Sequence, residues 1–306
     1  MNRFILKTTW FSFLTIFSLL VIFLLENGTA DPFYQRLITG KKRNLILGTS
    51  TSAQGLVPSV LNEKLGLIGE DEIFNFSFTV IHSPYGKVYK KRILEKLDSN
   101  CLNCIFILTI DPWSLVSEKI DPENEDLFVE NGLFLNSIES VNGVIFNLDY
   151  LFFHYINSYY EILLRYFTNN SMILHKDGWL EIQGIKEKNY EKVLKSKLAQ
   201  YSNYLNTKSF SETRFLSLKS LIDELSMKGD VYLVRLPSDP AILEIDEKMI
   251  PDFERKMEQL SLQFNVPFLN LSSMASDFEY TDGNHLTSGS AKDVTKLISD
   301  WIIKNQ

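Results

Sequence analysis

Hydrophobic and polar positions divide the chain into three kinds of stretch. Residues 8–25 carry no charge and are rich in Phe, Leu and Ile, with Arg3 and Lys7 ahead of them. No polar face recurs there at helical spacing, so the run is expected as a membrane-spanning helix and not as a core helix. Residues 1–30 form this anchor, and 31–43 read as a short tether. Short apolar runs at 44–47, 73–78, 105–110, 231–236 and 267–271 then read as buried strands, with helical patterns at 58–65, 85–97, 211–227, 252–264 and 290–304. Short apolar strands alternating with helices predict an α/β domain over 44–306, built on a central parallel sheet covered on both faces.

The rhythm breaks at about 114–206, which reads as a mostly helical insertion. It holds an aromatic segment at 148–167, a hairpin expected around Asp177 and Gly178, and a charged helix from Lys186 to about Ser202. His154, Asn157, Glu161 and Arg165 interrupt the aromatic segment at near-helical spacing. That favours an amphipathic core or lid helix over a second membrane span.

Composition adds exclusions. With 45% hydrophobic and 23% charged residues the chain is globular, neither disordered, collagen-like nor coiled coil. Of the net charge of −7, Arg3, Lys7 and Glu26 contribute +1, so the body from Asp31 carries about −8. A nucleic-acid partner is therefore not expected. Positive charge ahead of the apolar run keeps the N-terminus cytoplasmic and puts the body across the cell membrane, as a single-pass protein. A cleaved, secreted form is the competing reading, because Gly28 and Ala30 are small residues at plausible cleavage positions. Cys101 and Cys104 form one C-x-x-C pair before an expected strand, open to three readings: packing residues, a local disulfide, or redox chemistry.

Ligands of an open α/β sheet sit at the carboxyl ends of its strands, so the loops after the strand runs are where chemistry is expected. The first strand runs into Gly48-Thr49-Ser50, with Ser52 close behind, and Asp282-Gly283-Asn284-His285 precedes the last helix. A serine hydroxyl becomes a nucleophile when a base takes its proton, and that base needs a carboxylate to fix its tautomer. Asp282, three residues before His285, can supply this. His82, His154 and His175 lack metal-ligand spacing, and there is no Walker loop or dinucleotide fingerprint, so neither metal nor cofactor is expected.

In this order, at the two ends of an α/β domain, these motifs resemble the SGNH (GDSL-type) hydrolase family. The resemblance spans 44–306, with the insertion as an elaboration, and implies a three-layer fold. It also implies Ser50 as nucleophile, His285 as general base and Asp282 as its orienting carboxylate, with Ser52 as the fallback nucleophile. Two blocks depart from the family. The oxyanion-hole glycine expected within 75–80 is absent, which leaves another backbone N–H, such as that of Val80, to serve. The family's Gly-x-Asn-Asp block aligns with Thr109-Ile110-Asp111-Pro112, placing Asp111 where an asparagine would bind the oxyanion. One such donor is typically worth about 3–4 kcal/mol. Arg235 either sits over the site and restores positive charge or is a surface or ion-paired arginine.

Leu47-Gly48-Thr49-Ser50 after an apolar anchor, Asp111-Pro112-Trp113, Asp177-Gly178-Trp179, Arg235-Leu236-Pro237 and Asp282-x-x-His285 narrow the resemblance. They are similar to membrane-anchored SGNH-like proteins of bacterial envelopes, including those resembling alginate O-acetylation proteins and the D-alanyl-transfer protein of teichoic acid. This implies an esterase or O-acyltransferase acting on acyl esters of a cell-surface glycan. The membrane and that glycan are the expected partners, a membrane-bound acyltransferase a further candidate. The rival expectation is a catalytically inactive scaffold that binds an envelope glycan or a membrane partner.

Overall fold

The computed structural model describes residues 2–25, 31–138, 150–155, 158–168, 171–183 and 189–306. The candidate cleavage positions Gly28 and Ala30, and Asn157, lie outside these residues, as do the starts expected for the aromatic segment and the charged helix.

The chain begins with α1 (Asn2–Leu24) and α2 (Pro32–Ile38), then β1 (Asn44–Leu47), α3 (Ser50–Gly55), α4 (Pro58–Leu65), β2 (Ile73–Asn75), α5 (Lys87–Lys96) and β3 (Cys104–Thr109). The middle region holds β4 (Val116–Glu118), α6 (Phe134–Ser137), α7 (Tyr159–Leu164), β5 (Met172–Leu174), β6 (Leu180–Ile182) and α8 (Tyr190–Thr207). It closes with β7 (Lys208–Phe210), after which come α9 (Glu212–Ser226), β8 (Gly229–Arg235), α10 (Pro240–Met249), α11 (Phe253–Phe264), β9 (Phe268–Asn270) and α12 (Ser288–Asn305).

Five strands form one parallel sheet in the order β2-β1-β3-β8-β9. The chain therefore winds outward in both directions from β1 and β3, and the crevice at the carboxyl ends of those two strands is where such a sheet binds ligands. Alternation along the strands sorts side chains between two cores. Leu45, Leu47, Phe106, Leu108, Val231 and Leu233 face the layer of α5, α9 and α11. Ile46, Ile105, Ile107, Tyr232 and Val234 face α4 and α12, whose Leu61, Ala291, Val294, Ile298 and Ile302 are fully covered. The α/β architecture with a parallel central sheet is as expected from the apolar runs.

Three details differ from the sequence reading, and one open reading is resolved. The tether contains α2, docked by Arg36, whose buried Nε and Nη2 donate to Gly178 O at 3.1 and 2.8 Å. Of the 73–78 run only Ile73–Asn75 is strand: Phe76 N–H still donates to Ile46 O of β1 at 2.9 Å, but Ser77 N–H turns to the Asn75 side chain at 3.2 Å. The middle region, expected as mostly helical with one hairpin, holds a further antiparallel pair, β4 with β7. Cys101 and Cys104 are joined in a disulfide, the second of the three readings.

α1 has 22 residues, Arg3–Leu24, in a run long and apolar enough to cross a membrane. The hairpin expected around Asp177 is β5–β6.

Candidate active site

β1 delivers Gly48 to the sheet's carboxyl rim with φ +153°, and a Cβ there would lie 1.9 Å from Thr109 Oγ1. Only glycine fits between the ends of β1 and β3. Thr49 then enters α3, so Ser50 is its first helical residue. Asp111, leaving β3, caps the 3₁₀ turn Pro112–Leu115 through Ser114 N–H at 2.9 Å. The same carboxyl accepts from Thr49 Oγ1 at 3.0 Å and Thr51 Oγ1 at 3.4 Å. Both neighbours of Ser50 are thus held by the loop after β3.

Across the rim, the loop before α12 folds on itself. Asp282 Oδ1 accepts the backbone N–H of Asn284 and of His285, each at 3.0 Å. His285 Nδ1 lies 2.9 Å from Asp282 Oδ2, and Nε2 lies 2.9 Å from Ser50 Oγ. Residues 235 positions apart in sequence are therefore in direct hydrogen-bond contact. Burial alone would push the Asp282 carboxyl up, but the hydrogen bond and charge of His285, together with Lys197, hold it well below the usual carboxylate range. The carboxylate thus stays ionised at neutral pH, as an orienting acceptor for an imidazole N–H must.

Helix α8 supports this loop from outside, which sequence reasoning missed. Lys197 Nζ lies 2.9 Å from Asp282 Oδ2, and Tyr201 Oη accepts from the Asn284 amide at 2.8 Å. Gly283, at φ +89°, lets the helix close in, since a Cβ there would meet Leu194 Cδ1 at 2.4 Å. No local motif announces a helix from one region clamping a loop from another. The four-residue spacing of Lys197 and Tyr201 on α8 was the only available signal.

The remaining expected residues fall as follows. Ser52 Oγ is buried and has no hydrogen-bond partner among the described residues, so it is not the serine that His285 meets. Burial pushes the Asp111 carboxyl up, against the pull of its hydrogen bonds from Ser114 and Thr49 and the charge of Arg235. Arg235 is buried and ion-paired with Asp246 (Nη2–Oδ2 3.2 Å) and Glu254, so its charge is committed behind Asp111 and does not lie free over Ser50. Val80 lines an apolar cavity of about 90 Å³ together with Trp113, Phe128 and Tyr201. Asn75, near the site on β2, donates its amide to Ser52 O and Leu56 O, at 2.9 and 3.1 Å.

His82 bonds Thr79, and His175 bonds Glu181 at 2.9 Å. Among the described residues no group of three or more His, Cys, Asp or Glu is placed to hold a metal ion. A hydroxyl, an imidazole and a carboxylate in line form the arrangement in which a base takes the hydroxyl proton and a nucleophile results. Comparison with known protein families finds no family model that matches the chain. Comparison with curated proteins finds no match either.

Proposed function

We propose that the chain is a serine esterase or O-acyltransferase of SGNH type, held on the outer face of a cell membrane by α1 and acting on acyl esters of a cell-surface glycan. The observation that carries this reading is the unbroken line Ser50–His285–Asp282 at the carboxyl rim of the sheet. Ser50 Oγ attacks the ester carbonyl while its proton passes to His285 Nε2. The tetrahedral intermediate then expels the alcohol, which takes that proton from His285, and the acyl group stays on Ser50. Water, or a sugar hydroxyl deprotonated by His285, next attacks the acyl-enzyme and releases Ser50. Hydrolysis and transfer differ only in that second acceptor.

A second reading, an inactive scaffold that binds a glycan or a membrane partner, is favoured by two observations. Asp111 stands where the family resemblance puts an oxyanion-binding asparagine, and the block at 75–80 holds no glycine. Intact-mass analysis of the full chain in detergent after fluorophosphonate treatment separates the two. One adduct on the wild type, absent from Ser50→Ala and His285→Ala, supports the enzyme. No adduct on folded wild-type protein supports the scaffold.

A further inference from the structure

The outer end of α1 is built into the domain. The Phe23 ring lies 5.0 Å from that of Tyr159 and 5.6 Å from that of Phe152, and Tyr166 Oη donates to Leu25 O at 2.5 Å. Ile22 and Leu25 pack against the same core. At 1.5 Å per residue, Arg3–Leu24 rises about 33 Å, close to the roughly 30 Å hydrocarbon thickness of a bilayer. The uncharged run, residues 8–25, rises about 27 Å, so a helix crossing with Lys7 at one boundary has Phe23 and Leu25 close to the other. Side chains that touch them lie at that boundary as well.

What surrounds this point is apolar and uncovered. Phe153 is 78% exposed, Phe167 85% and Tyr160 60%, and Phe152 and Leu164 are also exposed. Tyr160 and Leu164, four residues apart, share one face of α7, while Ile162 turns inward to the core. Surfaces facing water rarely concentrate large apolar side chains in this way. Aromatic rings, tyrosine above all, are instead favoured at the level of lipid headgroups.

We propose that this aromatic face is an interfacial membrane-docking surface, covered by the lipid of the same bilayer that α1 crosses. The inference rests on the membrane anchoring in the function proposed above, and on the continuity of the face with α1 through Phe23, Tyr159 and Tyr166. Two attachments, one spanning and one lying in the interface, fix the attitude of the domain on the bilayer.

The test uses the full chain in phosphatidylcholine nanodiscs under non-reducing conditions, where Cys101 and Cys104 are occupied with each other. A single cysteine carrying an environment-sensitive fluorophore is placed by Phe153→Cys, Phe167→Cys, Phe17→Cys within α1, or Leu262→Cys on α11, which is 81% exposed. The 153 and 167 labels are expected to emit to the blue of the 262 label. Lipids carrying a nitroxide near the headgroup should quench them at least about threefold more strongly. Quenching at 17 by lipids carrying a nitroxide deep in the acyl chain, without quenching at 153 and 167 by the headgroup nitroxide, overturns the docking surface and leaves the anchor standing. No quenching at 17 by the acyl-chain nitroxide overturns the anchor and the docking surface with it. Labels at 153 and 167 shielded from aqueous iodide yet untouched by lipid quencher show a protein partner, such as a second copy, on this face, and overturn the proposal.

Discussion

Thr49 Oγ1 donates to Asp111 Oδ2 at 3.0 Å, so the residue before Ser50 is tied to the loop that leaves β3. At this position the family resemblance pointed to oxyanion binding, whereas the structure has Asp111 fastening a turn. Its carboxyl receives one backbone N–H and two hydroxyls, all within the crevice flanked by β1 and β3.

Asp111→Ala strips three donors of their acceptor, and an unsatisfied buried donor costs about 1–3 kcal/mol. The two threonine hydroxyls can still bond each other, being 3.1 Å apart. We expect a loss of about 2–3 kcal/mol in chemical denaturation, with slower fluorophosphonate labelling. Asp111→Asn keeps an acceptor for Ser114 and a group that bonds both hydroxyls, so it should label within about threefold of wild type or faster. A tenfold fall in the asparagine variant contradicts the fastening role.

Lys197 and His285 share the Asp282 carboxylate, but only His285 touches Ser50. Replacing Asp282 by Asn presents the imidazole with the wrong tautomer partner, and labelling should fall by about 10³–10⁴. Lys197→Met should cost less than about tenfold, because the two backbone N–H bonds still hold the carboxylate. Equal losses in the two variants would show that Lys197 is more than a positioning residue.

Gly48→Ala drives a methyl group into Thr109 Oγ1 and forces alanine to a positive φ. A destabilisation of about 2–4 kcal/mol is expected. Thr109→Ala in the same chain removes the clashing oxygen, so the double variant should be more stable than the sum of the single changes by about 1 kcal/mol or more. Strict additivity in urea melts would place the strain elsewhere.

Asp246 bonds Trp113 Nε1 at 2.7 Å and Arg235 at 3.2 Å, and burial raises its carboxyl to about 7 despite the arginine charge. A carboxyl raised on folding holds its proton more tightly in the folded state. Its contribution to stability is therefore full below the ordinary carboxylate range, and it is lost as pH rises towards 7. Asp246→Asn does not titrate. The melting temperature of the variant minus that of wild type should accordingly climb between pH 4 and 7. A flat difference across that range refutes the buried titration.

The strands were legible because a parallel sheet covered on both faces writes continuous apolar runs. Asn44–Leu47 is the expected run itself, and Cys104–Thr109 and Gly229–Arg235 shift by only one or two residues. Helix α10 was overlooked although Asp239 caps it and Pro240 opens it, a start signal obscured by the turn-like Pro-Ser-Asp-Pro that contains it. Helix α2 was read as tether because nothing in seven residues with one arginine foretells that Arg36 will be buried against Gly178 O. Ser50, Asp282 and His285 were legible from residue type and order. Lys197, Tyr201 and the ion pairs of Arg235 were not, since each partner lies on an element whose packing depends on the finished fold.

Synthesis of the chain runs from the serine towards the histidine. The turn bearing Ser50 is made with the first sheet strand, and the imidazole it needs is made after the last one, so nearly the whole domain must be threaded out before the two can meet. A chain cut short, or one whose last helix has not yet settled onto α4, carries the hydroxyl with nothing to activate it. The 2.9 Å between Ser50 and His285 is in this sense a receipt for a completed molecule: in an unfinished copy the Ser50 hydroxyl has no His285 to meet.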